Sequence, residues 1–421
     1  MTILSKQPIH RILLLILAGE SIFILPFVLA RIFRPTFLDV FGLNNFELGT
    51  CFSIYGVVAL LSYLYGGAIA DKYPPRKLMA SALFLTALGG FYMASFPSFV
   101  MLKVLFGYWG FTTIFLFWGA MIKATRAWGG EANQGKAFGF LEGGRGFVAA
   151  SLGAIGVFIF SLFIREDIAD TPFLDRQDAF RYVILFTSGV VTVVGLLVYF
   201  FMRTVDSSMA KIDTPLPAMA NLKSVIKIPS VGLLMIIVLC AYVGYKLTDI
   251  FSLYAKEVML FDELEAAKVG TFQLYLRPIV CISIGLLADR TKASLWMIIG
   301  FVTMLLGAII FASGVLEPTV TRFFIMSLII TASGTYAVRT LYFAAMEEGK
   351  IPLAVTGTAV GLISVIGYTP DIFVGPIMGY LLDASPGELG HQHVFMMLAG
   401  FSIIGLIAAV GFKKITRKKN Y

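Results

Sequence analysis

The sequence predicts an all-α membrane protein with twelve transmembrane helices in two six-helix bundles, and three observations carry that prediction. Of 421 residues, 58% are hydrophobic and only 14% charged, with a mean hydropathy of +0.87, far from the usage of a soluble chain. A hydrocarbon core of roughly 30 Å takes about 20 apolar residues to cross, and twelve apolar runs of that order are separated by polar turns. Finally, short motifs in the first half recur in the second at nearly one offset. GGAIADKYPPRK (Gly66–Lys77) and GLLADRTKA (Gly285–Ala293) share G-x-x-A-D-[KR] at a separation of 218 residues, and GKAFGFL (Gly135–Leu141) returns as GTAVGLI (Gly357–Ile363) at 222.

The elements follow in order. Span 1 is expected at 12–37; its apolar run is too long for a signal-peptide core and no small-residue cleavage site precedes Arg31, so it stays in the chain. Span 2 (46–70) closes on the Asp71 turn, and Pro74 and Pro75 separate it from span 3 (78–96). Spans 4 (100–122), 5 (137–164) and 6 (182–202) complete the first bundle, residues 1–203. The polar, proline-containing stretch 204–230 reads as a cytoplasmic linker. Spans 7 (231–255), 8 (266–288), 9 (294–314), 10 (321–345), 11 (353–382) and 12 (394–412) form the second bundle, 231–421.

Basic residues orient the chain. Lys72, Arg76, Lys77, Lys123, Arg126, Lys136, Arg203, Arg290, Lys292 and the tail KKITRKK fall on the side that holds both termini, while the opposite loops carry far fewer. Both termini are therefore expected in the cytoplasm, with a bacterial inner membrane as the location. The surplus of 33 basic over 25 acidic residues, formally +8, reflects this asymmetry rather than nucleic-acid binding. Cys51, Cys240 and Cys281 all fall in spans, so no disulfide framework is expected.

GGAIADKYPPRK resembles the loop 2–3 signature of the major facilitator superfamily, departing from it at Pro74, where the family usually has glycine. The resemblance covers the whole chain and implies alternating access by two bundles. Within that superfamily the chain looks most like the organophosphate:phosphate antiporter and sugar-phosphate permease group. In that group span 5 carries a substrate-binding histidine, which the alignment of Gly135 places at Arg145. The end of the group's span 7 is echoed by Asp249, Tyr254, Lys256, Glu257 and Val258. The group's phosphate-binding arginine falls on Gly244, with Lys246 the nearest cation, and its span 1 arginine corresponds to Arg31 or Arg34.

The charges inside spans give the chemistry. Six cations (Arg31, Arg34, Arg145, Lys246, Arg277, Arg339) and four carboxylates (Glu20, Glu142, Asp249, Asp371) lie within apolar runs. Each costs about 2.5–3.5 kcal/mol at mid-bilayer on insertion scales, so the six cations must face protein or water rather than lipid. At 1.5 Å rise per residue, Arg145 lies about 14 Å beyond Lys136 and Arg277 about 16 Å into span 8, both near mid-membrane. The resulting candidate substrate-binding residues are Arg145, Arg277, Lys246 and Arg31. Glu142 and Asp249 stand three residues from Arg145 and Lys246, so each is a charge partner that either shares in a site or simply neutralises its cation. Glu20, about 12 Å into span 1, either carries a coupling proton or is a paired buried carboxylate. Gate candidates are Asp71 and Arg76 after span 2, Asp289 and Arg290 after span 8, and Asp371 in GYTPD. Gly135, Gly139 and Gly143, at i, i+4, form a small-residue stripe on span 5.

Other signals point away from chemistry. GGEANQGKA lacks the Ser or Thr of a phosphate-binding loop, and GHQH, with His391 and His393, reads as a solvated turn. With no nucleophile–base pair or metal constellation, no cofactor, metal or enzymatic activity is expected. The expected function is secondary active transport of a small organic anion, by antiport or proton symport, in a monomer whose partners are that anion, protons or a counter-anion, and membrane lipid, with no nucleic acid. The alternatives are a non-transporting membrane sensor and a proton-coupled exporter of hydrophobic compounds.

Overall fold

The computed structural model describes residues 8–129, 134–163, 172–202, 226–342, 344–351 and 356–418. Among them every regular element is helical, and eleven helices are long and apolar enough to cross a membrane. The twelfth expected span is the helix Pro75–Met93, whose first turn holds Arg76 and Lys77 and whose interior carries Ser81, Thr86, Gly89 and Gly90, so it is less apolar than the others.

Among the described residues four spans are interrupted, and each interruption has a local cause. Span 1 runs Ile9–Ile32. At Ile24–Val28 it widens to a π-helical turn around Pro26, which lacks an amide hydrogen and pushes against the preceding turn. It stops at Phe33, and a further helix, Arg34–Phe41, starts with Pro35 and ends at Gly42 in the left-handed conformation. Span 4 is helical from Phe99 to Gly110 and from Gly119 to Gly129, with a π-helical stretch Phe111–Trp118 between. There the hydroxyl of Thr113 donates to the Trp109 carbonyl at 2.7 Å, competing with the backbone ladder. Span 7 is Pro229–Leu247 and Phe251–Glu257 joined by a tight 3₁₀ turn, Thr248–Ile250; Gln273 of span 8 (Glu263–Arg290) donates to the Thr248 carbonyl, supplying a partner where the regular ladder changes. Span 11, expected as one helix, is two: Thr356–Gly367 and Pro370–Ala384, because Pro370 cannot continue the first.

The chain divides into two compact units, Met1–Leu43 with Ile54–Lys211, and Asn44–Ser53 with Ile212–Tyr421. Of the 204–230 linker expected from sequence, residues 204–225 lie outside the described ones. In the first unit spans 5 (Gln134–Ser161) and 6 (Phe173–Phe201) pack on the end of span 1 and the helix after it through a cluster of Phe33, Phe37, Phe160 and Phe180. Hydroxyls add to it: Tyr55 pairs with Thr113 at 2.6 Å and Thr86 with Thr112 at 2.8 Å. Such contacts matter because helices in lipid gain little from hydrophobicity and associate by packing and hydrogen bonds. In the second unit, rings of Phe251, Tyr254, Phe311, Phe324 and Phe395 form the core. His391 belongs to that core. Far from a solvated turn, it sits in the first turns of Glu388–Lys418, fully buried, with Nε2 2.8 Å from Glu257 and its ring edge-on to Tyr254. The Asp383 carboxylate accepts from the Asn45 and Phe46 amides at the start of Asn45–Lys72, which ties Asn44–Ser53 into this unit.

Candidate functional site

Among the described residues each unit holds a buried cluster of charges. In the first, Arg145 of span 5 lies across span 1: Nε donates to Glu20 at 3.1 Å and Nη1 to Glu142 at 2.6 Å. Nη2 makes no hydrogen bond to a described residue. The guanidinium carbon stands 5.4 Å from the ring centroid of Phe23 and 5.8 Å from that of Trp118, close enough for cation–π attraction. Those rings flank the two π-helical stretches, Phe23 just before one and Trp118 at the end of the other. Gly19 makes the crossing possible: a Cβ there would come within 2.8 Å of the Met121 sulfur and 3.3 Å of Arg145 Cδ. The two carboxylates differ in setting, Glu20 being 3% and Glu142 41% exposed.

The second unit repeats the arrangement with other residues. Lys246 Nζ is 3.3 Å from Asp371 Oδ1 and 3.9 Å from Asp249 Oδ2, so the partner that spacing alone suggests is the more distant one. The breaks in spans 7 and 11 place these groups: Lys246 lies in the last turn before the tight turn and Asp249 within it, and Asp371 opens the second half of span 11, where the helix dipole favours a carboxylate. The Tyr242 hydroxyl donates toward both Asp371 oxygens at 3.2 Å. The Lys246 ammonium also faces the Phe52 ring at 4.9 Å. Beside this cluster Arg339, in the last turn of Thr321–Leu341, stacks on Tyr245 with its guanidinium 3.6 Å from the ring centroid, and Tyr342 meets Tyr368 hydroxyl to hydroxyl.

Arg277 is buried in span 8 immediately before Pro278, and Arg31 and Arg34 are buried at the end of span 1 and the start of the helix after it. Gly244, at the position of the sugar-phosphate permeases' arginine, is closely packed: a Cβ would lie 2.5 Å from Met304 Sδ, which would have to shift, and 3.2 Å from Thr335 Oγ1. Of the gate candidates, the side chains of Asp71 and Asp289 lie outside the described residues. Arg76 stacks on Tyr199 of span 6 at 5.3 Å, Arg290 is exposed, and Asp371 lies in the interior beside Lys246. In the small-residue stripe of span 5, the surroundings of Gly135 and Gly139 likewise lie outside the described residues; Gly143 is buried, and its neighbour Gly144 is the glycine that meets Ile16 of span 1. Among the described residues no His, Cys, Asp and Glu group could hold a metal ion.

Sequence reasoning missed the aromatic components Phe23, Trp118, Tyr242, Tyr245, Tyr342 and Tyr368. A signal existed for two of them, because Tyr242 and Tyr245 precede Lys246 at four and one residues and so share its stretch of helix.

The sequence pattern of the Major Facilitator Superfamily matches residues 13–370. The chain is similar to inner membrane protein YqcE of Escherichia coli (strain K12), 26% identical over 395 residues covering 91% of this chain and 89% of that one. Inner membrane protein YihN of the same organism is 25% identical over 426 residues, covering 99% and 98%. Among solved structures, nucleoside transporter NupG superposes with a TM-score of 0.72 at 14% identity over 96% of this chain and 98% of that one. A bacterial homologue of the human lysosomal transporter Spinster does so with 0.70 at 15%, over 97% and 96%. At such identities the structural likeness is one of fold.

Proposed function

Because the chain belongs to the Major Facilitator Superfamily and is an integral membrane transporter, not an enzyme, we propose that its cargo is a small organic anion, moved by alternating access as antiport or proton symport. One observation carries the anionic reading. Inside the described spans and the helix that follows span 1, five cations are buried (Arg31, Arg34, Arg145, Lys246, Arg277) against three carboxylates (Glu20, Asp249, Asp371). A fourth buried carboxylate, Glu263, opens span 8 and is paired with Lys256 at 2.9 Å. A surplus of buried positive charge is costly unless an anion or water shares the interior, and a guanidinium fork suits planar carboxylate, sulfonate or phosphate groups. An exporter of hydrophobic compounds has no use for that surplus.

Arg277 is the leading contact for the anion, being buried near mid-span with no carboxylate at helical spacing in its own sequence. Arg145 contributes its remaining Nη2 edge while Glu20 and Glu142 fix its orientation. The narrower sugar-phosphate reading rests on the span 7 echo, yet Lys256 and Glu257 are engaged by Glu263 and His391, and Gly244 stands where the group has its arginine, packed against Met304 and Thr335. The proposal therefore stays with organic anions as a class. The names of the two relatives and the basic bias of the loops support an inner-membrane location with cytoplasmic termini.

Ligand-induced stabilisation tests this reading. A ligand at a hundred times its Kd adds about 2.7 kcal/mol to the folded state. Purified protein heated with organic phosphates, sulfonates and carboxylates, each beside its uncharged counterpart, is expected to be stabilised by an anionic member and not by its neutral form, with the effect lost in Arg277→Gln. Equal stabilisation by the uncharged counterparts refutes it.

A further inference from the structure

Spans 8, 9 (Ala293–Ala312) and 10 (Thr321–Leu341) enclose an apolar groove in the second unit. It holds about 220 Å³, more than the roughly 150 Å³ of apolar space that takes up a benzene ring. Small residues make its floor. Gly300 and Gly334 let spans 9 and 10 approach closely, a Cβ on Gly334 falling 2.5 Å from the Met304 nitrogen and 2.7 Å from the Gly300 oxygen. Ala337, also buried, continues that floor, and Ile279, Ile284, Trp296 and Ile299 rise around it.

The surroundings say what covers the groove. Its rim belongs to the lipid-facing surface: Ile279 is 63% and Ile299 40% exposed, and Val302, Leu306 and Ile309 carry the exposed apolar stripe on along span 9. Its lining holds no charge. Ser283, Thr303 and Ser333 are the hydroxyls there, and Thr303 donates back to the Ile299 carbonyl at 2.9 Å, so the anionic cargo proposed above has no partner in it. One end is basic, with exposed Arg290 about 9 Å beyond Ile284 along span 8 and exposed Lys292 about 6 Å before Trp296. The turn ADRTKA carries these two cations against one carboxylate, Asp289, on the side that the basic loops assign to the cytoplasm. Trp296 marks the boundary, its indole donating to Thr291 at 2.9 Å in the manner of an interfacial aromatic. Ile279 lies about 16 Å from Arg290, half of a ~30 Å core, so the groove occupies the depth of one leaflet. A transmembrane helix, about 10–12 Å across, is too wide to enter it.

We propose that the groove seats one acyl chain of an anionic phospholipid whose phosphate rests against Arg290 and Lys292. Basic residues at a membrane surface gain about fivefold each from anionic lipid, and the groove adds a shaped seat for the chain beneath them. The site is separate from both charge clusters and stands whatever the cargo is.

Native mass spectrometry of the delipidated protein, titrated in detergent with dioleoyl phosphatidylglycerol or dioleoyl phosphatidylethanolamine, reads bound lipid by mass. Wild type is expected to hold one phosphatidylglycerol more tightly than phosphatidylethanolamine by about fivefold per cation, roughly 25-fold for the two. Arg290→Gln with Lys292→Gln should remove that preference and leave the phosphatidylethanolamine adduct unchanged. Ser283→Phe lays a ring over the groove from an exposed position. It should weaken both adducts about tenfold or more, the worth of two buried methylenes, with thermal stability in lipid-free detergent unaltered. Equal retention of the two lipids by wild type, a preference that survives loss of both cations, undiminished binding in Ser283→Phe, or a second copy of the chain bound in place of lipid overturns the proposal.

Discussion

Replacing Glu20 by glutamine removes the interior counter-charge of Arg145 while keeping an acceptor of the same shape 3.1 Å from Nε. Glu142, at 2.6 Å, still faces the guanidinium but is 41% exposed, so the lost interaction amounts to one charge-assisted hydrogen bond, about 1.5–3 kcal/mol. Arg145→Gln does more damage: it leaves Glu20, 3% exposed, without its cation, at about 3–5 kcal/mol. Glu142→Gln touches a half-solvated carboxylate and costs about 1 kcal/mol or less. The double variant Glu20→Gln with Arg145→Gln strands no interior charge, so it should recover about 0.5–3 kcal/mol relative to Arg145→Gln alone. Cys51 and Cys240 are buried, so a thiol-reactive fluorophore followed through a temperature ramp reports unfolding of all four variants directly. The expected order of stability is wild type, Glu142→Gln, Glu20→Gln, Arg145→Gln, with the double above Arg145→Gln. A Glu142 effect as large as that of Glu20, or a double variant no better than Arg145→Gln, would refute the reasoning that the interior pair holds span 1 to span 5.

Tyr242→Phe deletes the hydroxyl that donates to Asp371 and should lower stability by about 1.5–3 kcal/mol in the same thermal assay, without changing insertion. Gly244→Ala places a methyl against Met304 and Thr335 and should cost about 1–3 kcal/mol, and Gly244→Arg should fail to give folded protein on size-exclusion chromatography. Arg277→Lys keeps the charge but loses the planar fork, so the anion that stabilises the wild type should bind more weakly by about tenfold or more while the protein stays folded. Reporter fusions to the two ends should both register the cytoplasm, as the basic bias of the loops requires.

Much of the helical layout is legible in the sequence because apolar length is nearly sufficient to find a span, and eleven of the described helices meet that criterion. What periodicity cannot show is where a span breaks. Pro26 and Pro370 are visible as letters, but the same letter widens a continuous helix in one place and ends it in another, because that choice depends on which neighbours accept the displaced backbone groups. The candidate site follows the same pattern. Glu142–Arg145 is readable from spacing along one helix, whereas Glu20–Arg145 and Lys246–Asp371 join residues 125 apart in both cases and appear only when spans pack. His391 shows the same limit: a histidine flanked by glycine and glutamine reads as solvated, whereas Glu257, contributed by span 7, gives its Nε2 a partner in the interior.

Uptake by proteoliposomes tests the central claim most directly. Vesicles containing the purified protein would be offered radiolabelled organic phosphates, sulfonates, carboxylates, sugars and nucleosides, with and without an imposed pH gradient or an internal counter-anion. The expected result is saturable uptake of at least one organic anion, competed by anions of its class, unaffected by the uncharged compounds and reduced at least tenfold in Arg277→Gln, in line with loss of a charge-assisted contact. Saturable uptake of a sugar or nucleoside that anions do not compete, with the same rate in Arg277→Gln, would contradict it.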